Sequence, residues 1–287
     1  MSRQSQRVEV LLAGTDPPAL AELATRVAVA AGRLVVDERP REVEASATKS
    51  SPTDIVTVMD TRAEELLREL LLSERPDDAF FGEEGDDHEG TSGITWVVDP
   101  IDGTVNYLYD LPAYAVSVAA VAGDPKEPGA WQVVAGAVAD PALRRVYHAA
   151  LGCGAYERGW DDPASSRGTK LTVGSVDVLS AALVGTGFGY TPERRLEQGQ
   201  TLLELLPRVR DIRRFGSAAL DLCSVATGRL DGFYESGLNA WDVAAGWLLV
   251  TEAGGVVTGP RGGAPSPALT VAGNVAVQRE LLAVVDH

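Results

Sequence analysis

Cysteine is almost missing from this chain: Cys153 and Cys223 are the only two in 287 residues. That excludes a disulfide framework and fits a reducing compartment, with both thiols expected as ordinary core residues. Positive charge is scarce too, with 25 Lys and Arg against 41 Asp and Glu and a formal net charge of −16. Long-range attraction of nucleic acid or of an anionic membrane is therefore not expected, and an anionic substrate would need a cation from outside the protein. No apolar run approaches the roughly 20 residues of a membrane span. The opening stretch carries Arg3 and Arg7 but is broken by Glu9 and by Asp16-Pro17-Pro18. It is too short for an export signal, so the expected location is the cytoplasm. His88, His148 and His287 have no metal-like spacing. The run GTGFG from Gly185 to Gly189 falls short of a dinucleotide fingerprint, and no P-loop is present.

What is present is a 45% hydrophobic content, enough for one large domain or two modest ones. Asp16-Pro17 followed by ALAELATRVAVAAGRLVV has helical apolar spacing, with Asp16 as cap and proline in the first turn. A polar stretch from Glu38 to Asp54 reads as a mobile loop, and a second helical pattern, TRAEELLRELLL, begins after Asp60. The runs AFFG, ITWVV, AVSVAAVAG, WQVVAGAVA and RRVYHAA have strand-like lengths. In the second half, helical LEQGQTLLELLPRVR, AALDLCSVATG and WDVAAGWLLVTEAGG alternate with short strands, before a closing helix. No internal repeat and no central linker interrupt the alternation. The pattern predicts an α/β fold: a single two-lobed unit over residues 1–287, split near residue 150.

The densest chemistry lies in ITWVVDPIDGTVNY, where an apolar strand delivers Asp99, Pro100 forces an extended exit, and Asp102-Gly103-Thr104 opens a turn. Two carboxylates three residues apart at a strand end suit Mg²⁺, which takes a few carboxylates plus water and phosphate oxygens. If a helix starts at Asp102, the free N–H groups of Gly103 and Thr104 can hold a phosphate oxygen. The plain alternative is an Asp-Pro turn with Asp102 as a cap. Upstream, FFGEEGDD would bring Glu83 and Glu84 out at a comparable place if the two strands are neighbours; otherwise it is a solvated acidic loop. Downstream, Asp242 opens an apolar helix in NAWDVAAG, where N-capping alone would account for it. All of these carboxylates fall at junctions between apolar elements, where burial is costly unless a cation is bound.

The blocks KSSPTDIVTVMD, GEEG, WVVDPIDGTVNY, FGSAALDLCSVATGRLDGFYESG and WDVAAG with TEAGG behind it resemble the inositol monophosphatase family. The pattern is nearest to the bacterial inositol-1-monophosphatases, within a wider group that includes fructose-1,6-bisphosphatases and 3′-phosphoadenosine phosphatases. The blocks run in family order from Lys49 to Gly255. The resemblance implies a layered αβαβα sandwich, a homodimer, two to three Mg²⁺ ions and sensitivity to Li⁺. By the same resemblance, Glu83, Asp99 and the Ile101 carbonyl match ligands of one metal, and Asp99, Asp102 and Asp242 match those of a second. Glu83 would also touch a weaker third ion, and Asp60 with Thr104 matches the pair that orients or deprotonates the attacking water. Two metals about 4 Å apart would stabilise attacking water and leaving alkoxide in an in-line displacement.

For the substrate, the resemblance assigns the phosphate to backbone groups of Gly103 and Thr104, near Asp102 and Asp242, with Lys49 close by. Lys49 is otherwise an ordinary surface lysine. The alcohol falls to Gly216, Ser217, Ala218 and Glu235, although an acidic residue in a YES-Gly turn is also a common surface feature. Asn239 stands where some relatives have a basic residue, and Tyr107 where phenylalanine is commoner. The implied reaction is Mg²⁺-dependent hydrolysis of a small phosphate monoester, led by myo-inositol 1-phosphate. Fructose 1,6-bisphosphate, histidinol phosphate and 3′-phosphoadenosine 5′-phosphate are rivals, and a regulatory binding protein is the non-enzymatic alternative. The C-x5-R spacing of Cys223 and Arg229 mimics a thiolate phosphatase but sits in an apolar helical pattern with no neighbouring histidine.

Overall fold

The computed structural model describes residues 14–40, 43–48, 55–163 and 165–286. Helix α1 (Pro17–Asp37) begins as its sequence predicts, with the Ala19 N–H donating to Asp16 at 3.2 Å and proline in the first turn. Its stripe of Leu20, Ala24, Val27, Ala31 and Val35 is buried. Helix α2 (Val58–Glu74) starts earlier than its apolar pattern predicts. Thr57 is the N-cap, and its N–H donates to Asp60 at 2.8 Å in a capping box, so Asp60 lies in the first turn rather than ahead of it.

A two-stranded ribbon, β1 (Ala45–Thr48) and β2 (Ile55–Thr57), precedes the main sheet. That sheet has seven strands in sequence order: β3 (Ala79–Gly82), β4 (Ile94–Asp102), β5 (Ala115–Gly123), β6 (Trp131–Asp140), β7 (Arg145–Ala150), β8 (Ala155–Gly159) and β9 (Thr169–Lys170). Only β3 and β4 are parallel. Along β4, Trp96 and Val98 pack toward α1 and α2 while Val97 packs the other way. Burial on both faces is why ITWVV reads as an unbroken apolar run instead of an alternation.

The opposite face is covered by helices α5 (Ala218–Ala226) and α6 (Ala240–Glu252), which also carry the inner face of a second sheet. Its five strands run β11 (Asp211–Arg213), β10 (Leu183–Thr186), β12 (Gly232–Glu235), β14 (Thr270–Gly273), β13 (Val256–Thr258). Leu205 of helix α4 (Pro192–Leu205) and Val277, Leu281 and Val284 of helix α7 (Val275–Val285) close its outer face. The layers are therefore α, β, α, β, α, the architecture the resemblance implies. Close contact in the middle needs small residues: a Cβ on Gly136 of β6 would lie 2.9 Å from Ala245 Cα on α6.

Cysteine placement corrects one expectation. Cys223 is buried in α5, and burial pushes its thiol well above the ordinary value, which suits an inert core residue. Cys153 is exposed, because it falls in the turn that follows β7 and not in a strand. Tyr107, in the short helix α3 (Thr104–Leu108), is fully buried, and its hydroxyl donates to the Val35 carbonyl at 3.1 Å. The departure from phenylalanine thus adds a tether between α3 and α1.

Candidate metal and phosphate site

Parallel pairing of β3 with β4 sets Gly82 beside Val98, so Glu83, the first residue past β3, follows at the level of Asp99 in β4. Pairing between β4 and β5 then shifts register between Asp99 and Asp102. Such an irregularity redirects side chains at a strand end. The Ile101 N–H donates to Asp99 Oδ1 at 3.0 Å, which fixes the first carboxylate. Gly103 follows at φ 99°, and a Cβ there would lie 2.9 Å from the Ala113 carbonyl oxygen, so only glycine fits. Thr104 opens α3, and its hydroxyl lies 3.1 Å from Asp60 Oδ1 and 3.0 Å from the Ile101 carbonyl.

Two further elements complete the cluster. Asp102 Oδ2 accepts from the Ser217 hydroxyl at 2.6 Å and from the Ala219 N–H at 2.7 Å, so it caps the N-terminus of α5. Asp242 occupies the third position of α6, where it accepts from the Asn239 N–H at 2.6 Å in a capping box. The capping role expected of Asp242 is therefore real, but the cap position itself belongs to Asn239. One Asp242 oxygen serves the box; its carboxylate also reaches Asp99 and Asp102, the three residues offering oxygens that all lie within 4.8 Å of one another.

So much like charge in one place is electrostatically expensive. Asp99 is 1% exposed, and burial, then Glu83, Asp102 and Asp242, push its carboxyl well above the ordinary value. Burial raises Asp102 to about 6 despite its hydrogen bonds from Ser217 and Ala219. Asp242 is raised for the same reasons, with burial first and Glu83 next. Burial also raises Asp60, against the opposing hydrogen bonds of Thr57 and Thr104. The donors are all hard oxygens, with no histidine or thiol among them. That set fits Mg²⁺ or a similar hard divalent ion, whose charge would remove the repulsion.

The cluster lines a cavity of about 490 Å³ that also meets Ile101, Gly103, Thr104, Gly216, Ala218 and Glu235. Ser217 is the exception among the expected substrate contacts. Its side chain is buried against Asp102 and the first turn of α5, while its two neighbours face the cavity. Lys49 lies outside the described residues. Burial, then the Asp102 charge, raises Glu235 to about 8. Three features escaped the sequence reading. Arg194 and Arg214 line the cavity as its cations, although the arginine doublets at 194–195 and 213–214 carry no local signal for that. Glu64, one turn after Asp60, is buried and accepts from the Glu84 N–H at 2.8 Å, holding the GEEG turn. Its spacing of four from Asp60 was the available clue.

Fold and cluster together define the class: a layered α/β enzyme with a buried, cation-competent acidic centre. The chain belongs to the inositol monophosphatase family, whose sequence pattern matches residues 16–285, and it is accordingly a phosphatase. It is 48% identical over 247 residues to the inositol-1-monophosphatase SuhB of Mycobacterium tuberculosis, covering 83% of this chain and 80% of that one. The structure of Mycobacterium tuberculosis SuhB superposes with a TM-score of 0.75 at 43% identity, over 94% of this chain and 96% of that one. A relative from Pasteurella multocida named Nus factor SuhB is 36% identical over 84% of this chain and 85% of its own.

Proposed function

We propose that the protein hydrolyses a small phosphate monoester in a Mg²⁺-dependent reaction, with myo-inositol 1-phosphate as its leading substrate. The observation that carries this reading is the convergence of Asp99, Asp102 and Asp242 oxygens within 4.8 Å in a cavity that also meets Glu235. Glu83, Asp99, the Ile101 carbonyl, Asp102 and Asp242 would hold the cations. When bound, Mg²⁺ supplies Lewis-acid polarisation of phosphoryl oxygens and a water of lowered pKa.

The chain's own groups do the rest. The Thr104 hydroxyl has one proton and two acceptors in reach, Asp60 and the Ile101 carbonyl. Its lone pairs are thus turned to accept from a water, and Asp60 behind it is placed to take a proton through it. Backbone N–H groups of Gly103 and Thr104 would hold a phosphate oxygen, and Glu235 would accept from hydroxyls of the alcohol. Arg194 and Arg214 offset part of the acidic charge that an anionic ester meets on entry.

Phosphate release from inositol 1-phosphate, fructose 1,6-bisphosphate, histidinol phosphate and 3′-phosphoadenosine 5′-phosphate, with and without Mg²⁺ and Li⁺, tests the reading. Mg²⁺-dependent release led by inositol 1-phosphate is expected. Preference for another ester would replace the alcohol and keep the chemistry; no release from any of them would sink the proposal. The relative named Nus factor SuhB favours one second reading, a regulatory binding role. Such a role would survive Asp99→Asn, whereas hydrolysis would not.

A further inference from the structure

Among the described residues, Arg194 and Arg214 are the only cations lining the cavity of the acidic centre. Each is given its room by glycine. A Cβ on Gly237 would lie 2.4 Å from an Arg194 guanidinium nitrogen, and one on Gly189 would lie 2.5 Å from Arg194 Cδ. Likewise, a Cβ on Gly216 would lie 2.6 Å from an Arg214 guanidinium nitrogen. Gly216 and Gly237 also have φ of 91° and 94°, so the backbone itself favours glycine there. Both guanidinium groups thus lie along chain that carries no side chain.

Neither of them is spent on a structural partner. Arg213 pairs with Asp211 at 2.6 Å, but among the described residues Arg194 and Arg214 form no ion pair and donate no side-chain hydrogen bond. Arg194 also stands at the unfavourable end of a helix. It is the third residue of α4, whose N-cap, Thr191, lines the same cavity. Positive charge at a helix N-terminus opposes the macrodipole, and an anion there would answer both. Glu235 and Asp221 feel the charge of Arg214, but burial raises both, Glu235 to about 8, so near neutral pH neither neutralises it. Asp99, Asp102 and Asp242 are shifted chiefly by burial and by one another, together with Glu83, and not by either arginine. The two cations therefore stand apart from the carboxylates that would hold metal.

We propose that Arg194 and Arg214 form a subsite for a second anionic group, so that the enzyme also takes phosphate monoesters whose alcohol carries a further phosphate or carboxylate. The inference rests on the acidic centre being the hydrolytic site: the scissile phosphate goes to the cations there and the second anion to the guanidinium forks. Arginine suits this task because its planar fork meets two oxygens of either group at once. Such a contact acts equally before and during the reaction, so it lowers KM and leaves kcat alone. Inositol 1-phosphate can still lead in turnover while a doubly anionic ester binds more tightly.

The test compares esters matched except for the second anion: fructose 1,6-bisphosphate with fructose 1-phosphate, and 3-phosphoglycerate with glycerol 3-phosphate, in Mg²⁺. The first pair probes for phosphate and the second for carboxylate. In at least one pair the doubly anionic ester is expected to have a KM at least about tenfold lower, equivalent to about 1.4 kcal/mol. Arg194→Lys and Arg214→Lys keep the charge and lose the fork. Each should remove most of that advantage, raising KM for the doubly anionic ester several-fold more than for inositol 1-phosphate. No advantage in either pair, or an advantage that both lysine variants retain, would overturn the subsite and leave the arginines as general attractors of anions. If no ester is hydrolysed, inositol 1-phosphate included, the hydrolytic reading fails by itself, and calorimetric Kd values for the same pairs and variants decide the subsite by the same criteria.

Discussion

At the scale of single residues, Asp99 illustrates how function and stability oppose each other. It is buried among three other carboxylates, and its worth lies in a cation that the chain must recruit. Asp99→Asn should cut Mg²⁺-dependent phosphate release by at least about a hundredfold, the scale of losing one preorganised electrostatic group. The same change removes like-charge repulsion, so the thermal midpoint in EDTA should hold or rise. Turnover near that of the parent would remove Asp99 from the centre. Ser217 acts at one remove. Its hydroxyl donates to Asp102 and accepts from the Leu220 N–H as the N-cap of α5. Ser217→Ala should cost about 1 kcal/mol by urea unfolding as a lost cap. It should also lower Mg²⁺ affinity by about 10–100-fold as an orienting group removed. A loss of stability with unchanged affinity would make Ser217 a cap and nothing more.

At the scale of elements, the site depends on how closely α6 approaches the main sheet, since α6 carries Asp242 while β4 carries Asp99 and Asp102. Gly136 sets that approach, because its missing Cβ would press on Ala245 Cα at 2.9 Å and backbone cannot step aside as a flexible side chain can. Gly136→Ala is expected to destabilise by about 1–3 kcal/mol through overpacking. It should weaken Mg²⁺ activation as well, by moving Asp242 relative to Asp99. Urea unfolding together with a Mg²⁺ titration of activity checks both, and an unchanged activation midpoint would show that α6 accommodates the methyl without moving Asp242.

At the scale of the whole molecule, the acidic centre ties stability to pH and to metal. The folded chain holds protons on Asp102 up to about 6 and on Glu235 up to about 8, whereas the ordinary values are 3.8 and 4.5. Between those limits the native state binds more protons than the unfolded one, so stability falls as pH rises. Asp99 and Asp242 add to the fall, while His148, lowered by burial, opposes it just below 6.5. Without metal, the thermal midpoint should therefore drop from pH 5 to pH 8. Mg²⁺ binds the ionised carboxylates and competes with protons, so it should flatten the drop and raise the midpoint most at pH 8. Calorimetry in EDTA and in Mg²⁺ at pH 5, 6.5 and 8 decides it; a metal-free midpoint that climbs over this range would contradict the electrostatics argued for the site.

Much of this was legible in the order of residues, because some signals are local. Apolar period, proline and caps gave α1, and strand-length runs ending in acids gave β3 and β4, since burial on both faces writes itself as an unbroken apolar segment. The run from Asp99 to Thr104 marked a strand end and a new turn without reference to anything distant, whereas the left-handed Gly103 and the helix start at Thr104, two residues after Asp102, came only with the folded chain. Other assignments needed contacts more than a hundred residues apart. Asp102 with Ser217 and Asp99 with Asp242 meet only when α5 and α6 are sandwiched between the two sheets. Ser217 turning away from the cavity, Arg194 and Arg214 turning into it, and Glu235 sharing it with Asp99 carry no sequence period, because each is set by where separate elements pack. The sequence by itself determined which carboxylates end apolar elements and hence which chemistry is available. Tertiary structure alone decided which of them share a volume, because charge repulsion and hydrogen bonding act across a few ångströms of space and not along the chain.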